Sequence, residues 1–193
     1  MVLGIAPWNA TIILSIRAFI TPIVCGNTAI LKASESSPLT QYLVAHSFRQ
    51  AGLPPGVLNF ICCPCSSAAA VTEVIIAQDA VAHVNFTGST AVGRIVSNMC
   101  AKYLKPVVLE LGGKAPMVVL KDANLEEACK AAAFGAMMHQ GQICISTEHV
   151  IVHRSVAEKF KQLFQAKINS LYSADPKQRP YCPDWFTHHA GCG

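Results

Sequence analysis

An α/β fold, with a parallel sheet between flanking helices, is what this sequence predicts, on two observations. Short apolar runs of strand length alternate with helix-length segments along most of the chain, which is the βαβ pattern. Hydrophobic residues fill 52% of the 193 positions and charged residues only 13%, a balance that suits the buried strands of a parallel sheet or a piece whose apolar faces expect partners.

The elements follow in order. Val2 to Ala6 reads as a strand, and a helix runs over about Ala10 to Cys25. Thr28 to Leu31 is the next strand. Pro38 to Ala51 is a helix whose start is marked by Ser36-Ser37-Pro38, a cap residue followed by proline at the first helical position. Val57 to Ile61 is a strand, Ser66 to Gln78 a helix, Ala82 to Phe86 a strand and Thr90 to Lys102 a helix. After Pro106, Val107 to Leu109 forms a strand, and Pro116 to Leu120 another. Asp122 or Asn124 starts a helix over Leu125 to Met138, and Val150 to His153 with Ala157 to Ser170 gives a last strand and helix. From about Ser173 the pattern stops, broken by Pro176, Pro180 and Pro183, and no periodicity resumes before Gly193.

Composition narrows the function classes. The net charge of +4 is spread along the chain without a Lys/Arg cluster, which argues against a nucleic-acid partner. Nine cysteines is an odd count, and with no secretory leader pattern they do not read as a disulfide framework. A reducing, cytoplasmic setting is expected. The run from Ile12 to Leu31 is apolar, but Arg17, Pro22, Gly26 and Asn27 argue against a membrane span. Cys62-Cys63-Pro64-Cys65 and the His188-His189 pair with Cys192 invite a metal reading, yet neither has a second ligand pair at zinc spacing, so no metal is expected. Cys62 and Cys63 are instead expected on opposite sides of a strand end, and Met137-Met138 as lining or core.

Two motifs point to chemistry. Leu109-Glu110-Leu111-Gly112-Gly113-Lys114 offers a carboxylate and Gln140-Gly141-Gln142-Ile143-Cys144 a thiol, each beside glycines that let backbone approach a ligand. A thiolate that attacks a carbonyl and a carboxylate that later activates water suit two-step acyl transfer. Taken singly, Cys144 could be a buried structural cysteine and Glu110 a surface glutamate. Gly88-Ser89-Thr90-Ala91-Val92-Gly93 opens a helix after a strand, where N–H groups and the helix dipole favour a pyrophosphate; a plain strand-to-helix turn is the alternative.

These words, with Pro7-Trp8-Asn9, Gly26-Asn27-Thr28-Ala29-Ile30-Leu31-Lys32-Ala33-Ser34-Glu35 and Ala51-Gly52-Leu53-Pro54-Pro55-Gly56-Val57-Leu58-Asn59, resemble the aldehyde dehydrogenase superfamily in order and spacing. The stretch from Gln142 to Glu148 looks most like the branch acting on aromatic aldehydes such as salicylaldehyde or vanillin. The resemblance implies NAD-dependent oxidation of an aldehyde to an acid through a cysteine thioester. Cys144 would be the nucleophile and Glu110 the base for hydrolysis. Asn9 would donate to the oxyanion, although a turn asparagine is its plainer role and Ala10-Thr11 replace the family's Phe-Pro after it. Trp8, Lys32, Glu35, Gly88, Ser89, Gly93, Leu111 and Gly112 would line the cofactor. The Glu35 carboxylate would repel a 2′-phosphate and favour NAD over NADP.

The resemblance also divides the chain. Residues 1–109 would be a Rossmann-like NAD-binding domain, 110–172 the start of a catalytic α/β domain, and 173–193 a divergent, disordered tail. The family's opening portion and its Glu-x-Phe-Gly-Pro-type motif have no counterpart here, which suggests a fragment or a truncated reading frame. Family members form dimers or tetramers, an assembly not expected to be stable here. An inactive remnant that keeps only nucleotide binding or association with full-length relatives is the alternative.

Overall fold

The computed structural model describes residues 1–171, which form two compact units, Met1–Gly112 and the residues from Gly113 on. The expected tail over 173–193, with its histidines and Cys192, lies outside the described residues.

The first unit is a five-stranded parallel sheet in the order β3-β2-β1-β4-β5. Its strands are β1 (Val2–Ile5), β2 (Ala29–Lys32), β3 (Leu58–Ile61), β4 (His83–Gly88) and β5 (Val107–Leu111). The helices between them are α1 (Thr11–Val24), α2 (Pro38–Gln50), α3 (Ala68–Ile76) and α4 (Thr90–Lys102). The central strands β1, β2 and β4 carry the sheet's buried residues, which is why they read as apolar runs, while the edge strand β5 is exposed at Val108 and Glu110. Leu3, Ile5, Val84 and Phe86 pack with Ile76, Val96 and Cys100 from α3 and α4. Ala29 and Leu31 pack with Ala18 and Phe19 of α1 and Val44 of α2. Burying side chains such as Phe19 and Leu31 completely is worth about 1.5–3 kcal/mol each.

Several boundaries differ from expectation for local reasons. The helix expected from Ser66 is split, a 3-10 turn over Cys65–Ser67 leading into α3. Pro38 does occupy the start of α2, but Ser37 makes no capping bond and its Oγ is buried without a hydrogen-bond partner. Cys62 and Cys63 do not sit in the strand, because β3 ends at Ile61; Cys62 is exposed and Cys63 half-buried. Among the described residues no group of three His, Cys, Asp or Glu could hold a metal, and no helix is long and apolar enough to cross a membrane.

The second unit pairs β6 (Ala115–Val119) in parallel with β7 (Thr147–Val152), joined through α5 (Leu125–Met137) and followed by α6 (Ala157–Asn169). Asn124 caps α5, its side-chain oxygen accepting from the Glu126 and Glu127 N–H groups. Val119, Cys129, Ala132 and Phe160 form its core, with Phe160 stacked on Phe164.

Candidate active site

In an open parallel sheet, ligands bind beyond the carboxyl ends of the strands where the strand order reverses. Here the reversal falls at β1, which pairs with β2 on one side and β4 on the other. The loops leaving that edge carry most of the residues singled out from the sequence. Trp8 and Asn9 follow β1, Glu35 follows β2 just beyond Lys32, Ser89 follows β4, and Gly112 follows β5.

The loop after β1 is short and tied down. Thr11 Oγ1 donates to the Trp8 carbonyl at 2.6 Å, Trp8 is half exposed, and Asn9 lies in the turn that leads into α1. Beside it, Lys32 is 4% exposed and donates from Nζ to Glu35 Oε1 at 2.6 Å. Partial burial pushes the Glu35 carboxyl up. The Lys32 hydrogen bond, a bond from its own backbone and the Lys32 charge outweigh that, so it lies below the ordinary carboxylate range. The two residues expected to meet ribose hydroxyls thus form a partly buried ion pair.

Glu110 lies inside β5, paired with Thr87 of β4, and does not follow the strand as the sequence suggested. The strand continues through Glu110 and Leu111 because the alternation persists: Val107, Leu109 and Leu111 turn to the core while Val108 and Glu110 turn outward. On that outward face Arg17 of α1 donates from Nη2 to Glu110 Oε1 at 3.0 Å.

The start of α4 fits an anion. Ser89 caps it in extended conformation, accepting from the Val92 N–H, and its first turn carries no acidic side chain. The glycines here divide in role. A Cβ on Gly93 would come within 2.5 Å of Leu111 Cδ2, so Gly93 lets α4 settle on β5. Gly88 lies against the Phe86 ring, while the space around Gly112 is open. Leu111 accordingly packs against the core cluster beneath α4.

Cys144 belongs to the second unit. It sits exposed in a turn closed by the Ser146 N–H donating to the Ile143 carbonyl at 2.9 Å, with the buried Ser146 Oγ accepting from the Ile143 N–H at 3.3 Å. The preceding His139, Gln140 and Gly141 all have left-handed backbone, at φ of 53°, 60° and 72°. Only glycine adopts that conformation without strain, so this approach to the cysteine is conformationally costly. Cys100 and Cys129, by contrast, are buried, and burial pushes their thiols up, as expected of inert core cysteines.

Sequence reasoning missed two side chains. Arg17 counted only as an argument against a membrane span, though a lone cation in the apolar stretch from Ile12 to Phe19 was itself a pointer to a partner. Gln41 shares the buried stripe of α2 with Val44. It is fully buried and hydrogen-bonded to the loops after both β1 and β2.

This arrangement has a counterpart among known proteins: residues 1–182 match the aldehyde dehydrogenase family. The chain belongs to that family. Among its relatives, vanillin dehydrogenase of Pseudomonas fluorescens is 54% identical over 176 residues, covering 91% of this chain and 36% of the relative. The crystal structure of a salicylaldehyde dehydrogenase from Pseudomonas putida G7 complexed with salicylaldehyde superposes with a TM-score of 0.89 at 43% identity, over 91% of this chain and 36% of that one. A betaine aldehyde dehydrogenase from Staphylococcus aureus in complex with NAD+ has a TM-score of 0.81 at 30% identity, over 88% and 34%. The chain therefore spans about 36% of the length of the family relatives it matches.

Proposed function

We propose that this chain carries the cofactor-binding half and the nucleophile of an oxidoreductase that converts an aldehyde, of the aromatic class, to its carboxylic acid. The observation that carries the reading is the convergence of Asn9, the Lys32–Glu35 pair, Ser89 and Glu110 at the carboxyl edge of one parallel sheet. Family membership and the names of the vanillin and salicylaldehyde relatives support the substrate class. A module that binds nucleotide without chemistry is the weaker reading, since it leaves Glu110 and Cys144 without a role.

The residues fit a nicotinamide dinucleotide. The α4 N-terminus with Ser89 would hold its pyrophosphate, and Lys32 with Glu35 a ribose, while Gly112 gives room on the nicotinamide side. The Glu35 carboxylate would repel the 2′-phosphate of NADP, which favours NAD, although its Lys32 partner could serve either cofactor. When bound, the cofactor supplies the hydride acceptor.

The chain's own groups supply the rest. The Cys144 thiolate forms a C–S bond to the aldehyde carbon, and the Asn9 amide N–H donates to the oxygen that becomes negative. Once oxidised, the carbon remains on Cys144 as a thioester. Glu110 takes a proton from water, the hydroxide adds to the thioester carbonyl, and the C–S bond breaks to release the acid and the thiolate.

The test separates the two steps. In a full-length family chain that contains this segment, Cys144→Ala should abolish NADH formation from NAD and aldehyde. Glu110→Gln should still give a stoichiometric burst of NADH, followed by a stalled acyl group seen as added mass on Cys144. Steady turnover by Cys144→Ala would overturn the nucleophile assignment.

A further inference from the structure

Gln41 stands in the first turn of α2 and exposes none of its surface. Its side chain is spent at both ends. Oε1 accepts from the Ser34 N–H at 2.5 Å, and Nε2 donates to the Pro7 carbonyl at 3.2 Å and the Ala6 carbonyl at 3.4 Å. Ser34 lies between Lys32 and Glu35 in the loop after β2, and Ala6 and Pro7 immediately precede Trp8 and Asn9 in the loop after β1. A buried amide is costly unless its donors and acceptor are matched, so a glutamine here is a poor space-filler and a good tie. The neighbouring strands set the loops side by side, with Ile5 paired to Lys32, and a single side chain bonds the backbone of each.

We propose that Gln41 is a positioning residue which locks the loop for the cofactor ribose to the loop that presents the oxyanion donor. It touches neither ligand. It acts through Ser34 on Lys32 and Glu35, and through Pro7 on Trp8 and Asn9, so that a ligand settling on the first loop steadies the second. The proposal rests on the functional reading above for the roles of Asn9, Lys32 and Glu35; the tie itself does not.

Trp8 provides a reporter, because Trp185 is the other tryptophan and can be replaced by phenylalanine. In that background, with the exposed Ile13, Leu39 and Val118 also made polar so that the chain stays monomeric, Gln41→Met keeps the length of the side chain and removes its hydrogen bonds. Acrylamide quenching of Trp8 should rise without ligand, and ADP-ribose should bind about fivefold more weakly, the ratio expected from one net hydrogen bond. ADP-ribose should raise Trp8 anisotropy in the parent chain and leave it unchanged in Gln41→Met. A purely structural glutamine would lower the melting temperature without moving that ligand response. Equal quenching in two folded chains would overturn the tie. If Gln41→Met does not fold, hydrogen exchange at the Trp8 and Asn9 amides of the parent decides: slowing by ADP-ribose supports the proposal and its absence refutes it. Failure of ADP-ribose to bind the parent chain would overturn the cofactor reading instead, and the quenching comparison would then judge the tie alone.

Discussion

Arg17 and Glu110 form an ion pair in which both side chains are about half exposed, 58% and 47%. Exposed pairs contribute little to stability, about 0–1 kcal/mol, so the contact matters more for where it holds the carboxylate. In the same full-length context, Arg17→Met should leave the NADH burst intact and slow the later hydrolysis, by less than the ~10²–10⁴-fold that loss of a general base costs. Single-turnover and steady-state rates compared on one preparation would decide, and a slowed burst would contradict this role. The Glu35 carboxyl makes a pH prediction. Its folded pKa is depressed, so it adds stability above the unfolded value and loses it as pH falls through the folded one. Urea melts from about pH 5 down to about pH 3 should show the parent chain losing an advantage that Glu35→Gln never has. A constant difference between the two across that range would refute the assignment.

At the scale of elements, α1 lies against β1 because Gly4 has no side chain. A Cβ there would sit 2.5 Å from the Ala18 carbonyl oxygen and 2.9 Å from Ala18 Cβ, and neither backbone can swing aside as a flexible side chain would. Gly4→Ala should therefore destabilise the first unit by about 1–3 kcal/mol and move Arg17 away from Glu110. Chemical denaturation checks the first effect, and hydrolysis rate in the folded fraction checks the second. Close packing of this kind was not legible in the sequence, where Gly4 is one small residue in an apolar run. What was legible had a local cause: the strand-helix alternation, proline at the start of α2, a cap at either Asp122 or Asn124 and the full extent of α4 follow from period and capping chemistry. Glu110 sits inside β5 and not beyond it because the β4 ladder carries pairing through Leu111. Arg17 and Gln41 have partners distant in sequence, Glu110 and Pro7, and only the sheet brings them near.

At the scale of the whole chain, the same apolar composition that drives the sheet leaves much of it facing water. Ile13 is 71% exposed, Leu39 69%, Val74 63% and Val118 61%, on helices and strands whose opposite faces are well packed. Scattered exposed apolar residues are ordinary, but this many large ones on regular elements mark surfaces that want a partner. Surfaces of this kind, when nothing covers them, associate with one another. The purified 193-residue chain should therefore elute as a broad, concentration-dependent aggregate, or be recovered only with a chaperone or a binding partner. Replacing Ile13, Leu39 and Val118 by polar residues should shift it toward monomer without altering the packed faces on which the site is built. Size-exclusion chromatography with light scattering reads this directly. A monodisperse, cooperatively unfolding monomer from the unsubstituted chain would show that these faces need no cover.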